Sequence, residues 1–133
     1  MRYKIFDVGH GFCACATAQN GNVVLFDCGQ KADPLRRPSD FLPREGIAGV
    51  EHFFVTNFDE DHISDLPRLL QTMHIGWLYR NDTISPDQLR RLKQQGGPIS
   101  PAMDTLLGML TTYTDTKSTP PPTPGITWTC YRN

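Results

Sequence analysis

Apolar positions fall in short runs over the first third of the chain and at helical spacing further on. Tyr3-Lys4-Ile5-Phe6-Asp7-Val8 is rich in aromatic and β-branched residues and predicts a strand. Gly9-His10-Gly11 breaks it as a turn, and Phe12 to Ala18, small and apolar, predicts a second strand. Gln19-Asn20-Gly21-Asn22 contains Asn-Gly, the strongest short hairpin signal. Val23-Val24-Leu25-Phe26 is an unbroken apolar run, which predicts a strand buried on both faces, ended by Asp27-Cys28-Gly29. These strands follow one another closely enough to form a meander. The polar stretch from Lys31 to Gly49 carries Pro34, Pro38 and Pro43, with room for a short helix near Ser39 to Arg44, before a fourth strand at Val50 to Thr56.

Beyond a charged loop, Ile63, Leu66, Leu69, Leu70 and Met73 recur at helical spacing, with Pro67 early in the helix where it does least harm. Ile75 to Tyr79 predicts a fifth strand. Ser85-Pro86-Asp87 supplies an N-cap, a first-turn proline and a first-turn acid, and Gly96-Gly97 stops that helix. Ser100-Pro101 starts the next, whose apolar face is Met103, Leu106, Leu107 and Leu110. The expected organisation is a layered domain over 1–114, a Pro/Thr-rich linker or loop over 115–125, and an isolated strand over 126–133. Strands first, then strand–loop–helix–strand, then helices, gives an α/β (α+β layered) class: a mixed sheet with outer helices.

Composition narrows the function classes. The chain has 133 residues, 38% hydrophobic and 20% charged, with a formal net charge of -1, so no overall field draws it to nucleic acid or membrane. Its densest basic cluster, Arg90, Arg91 and Lys93, reads as a solvated helix face. No apolar run reaches the roughly 18 residues a spanning helix needs. Asp7 sits where a signal peptide requires an apolar stretch, so a cytoplasmic location and no membrane partner are expected. Cys13, Cys15, Cys28 and Cys130 are then expected as buried thiols; a Cys13/Cys15 metal pair lacks the second pair that would complete four ligands.

The chemistry concentrates in one loop. Asn57, Asp59, Asp61 and His62 form N-x-D-x-D-H straight after a buried strand, the edge where α/β folds place ligands. Packing Asp59, Glu60 and Asp61 beside an imidazole costs repulsion that a cation would offset. Carboxylate oxygens and imidazole nitrogen are ligands that Zn²⁺, Mn²⁺ or Fe²⁺ accept. Alternation should aim Asp59 and Asp61 one way and Phe58 and Glu60 elsewhere, with His62 joining as the helix begins. An acidic N-cap region that needs no metal would look the same. His10 lies in a turn and could approach this loop, whereas His52 and His74 read as structural. No G-x-x-x-x-G-K-[ST] phosphate loop and no G-x-S-x-G elbow occurs.

Phe6-Asp7-Val8-Gly9-His10-Gly11, then Leu25-Phe26-Asp27-Cys28-Gly29, then Asn57 to His62 followed by Ile63-Ser64-Asp65-Leu66, resemble the opening of the metallo-β-lactamase superfamily. The nearest likeness is to the branch holding the hydrolase domain of bacterial DNA-uptake competence proteins. Over roughly residues 3 to 80, the resemblance implies the N-terminal half of an αββα sandwich, with residues 126–133 starting a second half. It implies that Asp27 braces the metal loop, that Asn57 and Asp59 stand at two first-site ligand positions, and that Asp61 and His62 stand at second-site positions. Asp61 would also orient the attacking water, and one or two Zn or Mn ions would be held.

This chain departs from the pattern. Asn57 replaces a histidine with a weaker, uncharged ligand, Ser64-Asp65 replaces Gly-Gly, and no histidine follows His74. The resemblance implies a metal-dependent hydrolase, with a phosphodiester, nucleotide or other small-molecule substrate, inactive or weakly active as this chain. The alternative is a non-catalytic fragment or pseudoenzyme serving as a binding or assembly module. A homodimer of half-domains, or a C-terminal half, would cover the exposed sheet face.

Overall fold

A computed structural model describes residues 1–30, 36–113 and, for the backbone, 128–132. Its elements run β1 (Arg2–Ile5), β2 (Ala14–Thr17), β3 (Val23–Phe26), α1 (Pro38–Arg44), β4 (Gly49–Val55), α2 (Glu60–Ile63), α3 (Leu66–Thr72), β5 (His74–Asn81), α4 (Pro86–Gln95), α5 (Pro101–Thr112) and β6 (Trp128–Arg132). They form one mixed, open sheet in the order β1-β2-β3-β4-β5-β6. The first three strands are the expected antiparallel meander. β4 and β5 then add in parallel through right-sized helical crossovers, and β6 returns antiparallel to β5. The mixed α/β class expected from the pattern is the class observed.

Strand register sorts the side chains into two faces. Cys15, Leu25, Phe53 and Leu78 lie opposite one another across four strands and are buried. They share a single core with Leu42 of α1, Leu66 and Leu69 of α3, and Leu106 and Leu107 of α5, so the helices lie against this face. The alternate row, Ala14, Phe26, Phe54 and Tyr79, lies on the other face. There Phe54 stacks on Tyr79 with ring centroids 4.3 Å apart, and on Phe26 at 5.2 Å. Val24 and Phe26 are only half-buried, so β3 is fully buried on one face rather than on both as its unbroken apolar run suggested.

Two expectations change. The helix expected through Ile63 to Met73 is split in two at Ser64-Asp65. The Asp65 amide donates to Cys28 O at 3.0 Å, and one Asp65 carboxylate oxygen accepts the Ser39 amide at 2.6 Å. Both bonds turn the chain out of a helical path, and Pro67 sits in the first turn of α3, where its missing N–H is not needed. The strand near the end of the sequence is not isolated, because Trp128–Arg132 pairs with Trp77–Asn81. The expected linker over 115–125 lies outside the described residues. α4 and α5 begin at Ser85 and Ser100 as expected, and Ser85 forms a reciprocal capping box with Gln88.

Cys13, Cys15 and Cys28 are free, buried thiols, as expected for core packing. Burial pushes the Cys13 and Cys28 thiols well up, leaving them protonated and unreactive. Arg80, only 2% exposed, donates to Asn81 O and Ile84 O and pairs with Asp82, fixing the turn into α4. Among the described residues, no helix is long and apolar enough to cross a membrane.

Candidate functional site

Three loops meet at the C-terminal edge of β3 and β4: residues 9–13, 27–30 and 57–65. Backbone hydrogen bonds tie them together. Phe12 N donates to Asp61 O at 3.2 Å, Cys28 N to His62 O at 2.8 Å, and Gly29 N to Phe12 O at 2.9 Å. The approach needs glycine on both sides, since a Cβ on Gly29 or Gly11 would lie 1.6 or 1.9 Å from the Asp61 carbonyl oxygen. Ser64 Oγ adds a further tie, accepting from Gln30 N at 2.8 Å and donating to Gln30 O at 3.1 Å.

Asp27 is the pivot. It is fully buried at 0% exposure and is the one described non-glycine residue with positive φ, 55°. That twist swings its carboxylate across to β4 and the loop beyond. Oδ1 accepts Thr56 N at 2.8 Å, while Oδ2 accepts the Thr56 hydroxyl and the His62 Nδ1–H, the latter at 2.7 Å. A buried carboxylate on Nδ1 selects the tautomer with its lone pair on Nε2, so His62 presents Nε2 outward. Asp27 therefore stands behind the 57–65 loop, tied to Thr56 and His62. Thr56 was not anticipated, and its only sequence signal is its place at the strand end before Asn57.

The other loop residues take separate partners. Asn57 Oδ1 accepts the Asp59 amide at 3.1 Å, turning the chain on itself. Asp59 Oδ1 meets Lys93 Nζ of α4 at 3.1 Å, and the Lys93 ammonium holds the Asp59 carboxyl below the usual carboxylate range. Glu60 accepts the Ser100 hydroxyl at 2.5 Å. Asp61 Oδ2 faces His10 Nε2 at 3.6 Å, so the Gly9-His10-Gly11 turn does reach the loop. His10, Gln30, Glu60, Asp61 and Ser64 line a cavity of about 470 Å³. The shared direction that alternation gave to Asp59 and Asp61 is lost because the chain turns helical at Glu60. Lys93, taken as part of a solvated face, is a second residue, after Thr56, that the sequence pattern missed. His52 bonds the Tyr79 hydroxyl at 2.9 Å, on the sheet rather than at the loop.

Whether these residues fit a metal ion turns on convergence. His62 Nε2 and the Asp61 carboxylate are suitable donors, but Asn57 and Asp59 are committed elsewhere. Among the described residues, no three His, Cys, Asp or Glu side chains come together as a metal-binding group. A catalytic zinc centre takes about three protein ligands and an open position, so the described residues do not make a complete one.

Behind the site, Asp65 is 1% exposed, and its carboxylate packs against Ser39, whose amide it accepts at 2.6 Å. Burial raises the Asp65 carboxyl above its ordinary 3.8. The folded chain therefore holds this proton more tightly than the unfolded chain. The resulting stability is complete below 3.8 and is lost as pH rises through the folded value. Asp65→Asn, which stays neutral, is expected to lose less stability than the unaltered chain as pH climbs through that window. Urea unfolding at a series of pH values checks this; parallel decline in the two chains would contradict it.

No protein-family model matches this chain, and no curated protein or solved structure is significantly similar to it.

Proposed function

We propose that the chain carries part of the site of a metal-dependent hydrolase of the metallo-β-lactamase kind, and that it does not turn over substrate by itself. The observation that carries this reading is the Asp27–His62 hydrogen bond. A fully buried carboxylate, held by Thr56 on its other side, fixes an imidazole so that its outward nitrogen is a lone-pair donor. An imidazole that serves as a ligand must be held in tautomer and angle, which this hydrogen bond does.

A divalent zinc or manganese ion, when bound, would polarise a phosphoryl or carbonyl oxygen and acidify a water. His62 Nε2 and Asp61 would hold it. Asp61, with His10 at 3.6 Å, is placed to accept and pass on a proton from a water in the cavity. The cavity suits a small-molecule or nucleotide-sized phosphodiester, and its exclusion of bulk water rests on whatever closes its open side. The remaining donors would come from a second layer, either a C-terminal half or a second copy of this chain. Tyr3 and Ile5, 70% and 79% exposed, lie on the sheet face away from the helices, opposite Ala16 and Ala14, one strand removed from Val24 and Phe26. They give that layer an apolar edge to meet.

The test is equilibrium dialysis of the purified chain against Mn²⁺ or Zn²⁺, with hydrolysis of a generic phosphodiester followed in parallel. Weak binding that disappears in Asp61→Asn and His62→Ala, without turnover, is expected. Absence of any saturable ion, or rapid turnover by the chain alone, would sink it. A clean monomer in light scattering at high concentration would remove the second-copy form of the reading. A non-catalytic binding or assembly module is the competing reading, and the Lys93–Asp59 ion pair favours it, because it satisfies a ligand position with a protein cation.

A further inference from the structure

The sheet face turned away from the core helices carries two cross-strand rows. Strand register sets Ile5, Ala14, Phe26, Phe54 and Tyr79 side by side in one row. Tyr3, Ala16, Val24, His52 and Trp77 make the other. Neither row holds an Asp, Glu, Lys or Arg, so the complement of this face is another uncharged, apolar one. Its imidazole and a phenol hydroxyl serve each other, with His52 Nδ1 2.9 Å from Tyr79 Oη, which lowers the cost of covering them. The rows are also graded in size about β3. On one side β2 offers only Ala14 and Ala16, and on the other β4 offers Phe54 and His52. One strand further out, Tyr3 and Ile5 of β1 balance Trp77 and Tyr79 of β5.

We propose that a second copy of this chain packs face to face on this sheet about a two-fold axis running along β3, so that Ala14 and Ala16 of each copy receive Phe54 and His52 of the other. The face is its own complement, because the hollow over β2 and the aromatic ridge on β4 lie one strand either side of the axis. Every contact then occurs twice, as a two-fold interface requires. Strands about 4.8 Å apart and two side-chain rows give a footprint of about 24 by 14 Å, and the pair buries on the order of 1,000 Å² of accessible surface. That is the lower end of specific interfaces, so the dimer is a weak one. An axis along the strands leaves both copies' strands pointing the same way, and both 57–65 loops emerge at one end of the pair. The inference goes beyond the functional reading above and does not rest on the loop holding an ion.

The test is sedimentation equilibrium of the full chain from the low micromolar to the millimolar range, with circular dichroism to check the folding of each variant. The unaltered chain is expected to pass from monomer to dimer at roughly ten to a hundred micromolar. Ile5→Glu, at a position 79% exposed, puts a charge into the interface twice per dimer and should weaken association at least about tenfold. Ala14→Leu adds apolar surface but fills the hollow, and should weaken association about fivefold or more. Leu92→Glu, at a position 52% exposed on α4, should leave it unchanged. A monomer throughout, or a dimer that Ile5→Glu leaves intact, would overturn this face as the contact. A loss in Leu92→Glu as large as in Ile5→Glu would do the same. Association unchanged or tightened by Ala14→Leu, as edge-to-edge pairing of β1 would give, would overturn the packing about β3.

Discussion

Asp27→Ala is expected to lower the stability of the chain by about 3 kcal/mol, read as a fall in the urea midpoint at unchanged slope. Aspartate and alanine both carry a Cβ at the positive φ of 55°, so the left-handed strain is largely common to the two, and only the loss of a short polar side chain that can bond locally counts against alanine. The larger share comes from the three donors that lose their acceptor: the Thr56 amide, the Thr56 hydroxyl and His62 Nδ1–H. A buried donor left without a partner costs about 1 to 3 kcal/mol, and the partial exposure of His62 reduces its share. Asp27→Asn tolerates the left-handed backbone and keeps one acceptor oxygen, so it should fall between the two. The His62 ring should become mobile in both variants, visible as broadening of its imidazole NMR signals. An Asp27→Ala chain as stable as the unaltered one would mean that the Asp27 hydrogen bonds do not hold the loop.

Gly29→Ala should be at least as damaging, by about 3 kcal/mol or more, with the chain failing to form the site at all. Its Cβ would fall 1.6 Å from Asp61 O and 3.0 Å from Phe12 N, both backbone atoms, so no side chain can rotate away. Relief requires the 27–30 and 57–65 loops to part, which breaks the Cys28 N–His62 O and Asp65 N–Cys28 O bonds, and the shift of Asp61 carries its carbonyl away from Phe12 N as well. Gly21→Ala is the control. A Cβ there meets nothing within 4 Å, and only its φ of 87° is unfavourable, for about 1 to 2 kcal/mol. Amide hydrogen exchange separates the cases: Phe12 and Cys28 amides should exchange rapidly in Gly29→Ala and remain protected in Gly21→Ala. Similar loss in both variants would show that close approach to the Asp61 carbonyl does not decide the role of Gly29.

Of the candidate site, Asp61 with His62 was expected from the loop's own residues and Asp27 from the resemblance; the structure hydrogen-bonds Asp27 to His62. Asp59 and Asp61 were expected to point together, which assumed that extended backbone continues to residue 61; the helix beginning at Glu60 rotates them onto different partners. Lys93 was invisible as a site residue because it lies 34 residues from Asp59, and its basic neighbours Arg90 and Arg91 suggested an ordinary solvated face. Thr56 and Asp65 carried no periodic signal, since their roles depend on which loop faces them.

The sequence by itself determined the elements: apolar runs of strand length, Asn-Gly between the second and third, and Ser-Pro caps on the two long helices. These are contests among neighbouring residues, settled by φ/ψ preference and by which side of a strand or helix is apolar. Only the tertiary structure decided that Trp128–Arg132 closes onto β5, that the alternate sheet row stacks Phe26, Phe54 and Tyr79, and that α4 delivers a lysine to Asp59. Those pairings join residues far apart in the chain. Their energies depend on distance and burial, which no local pattern encodes.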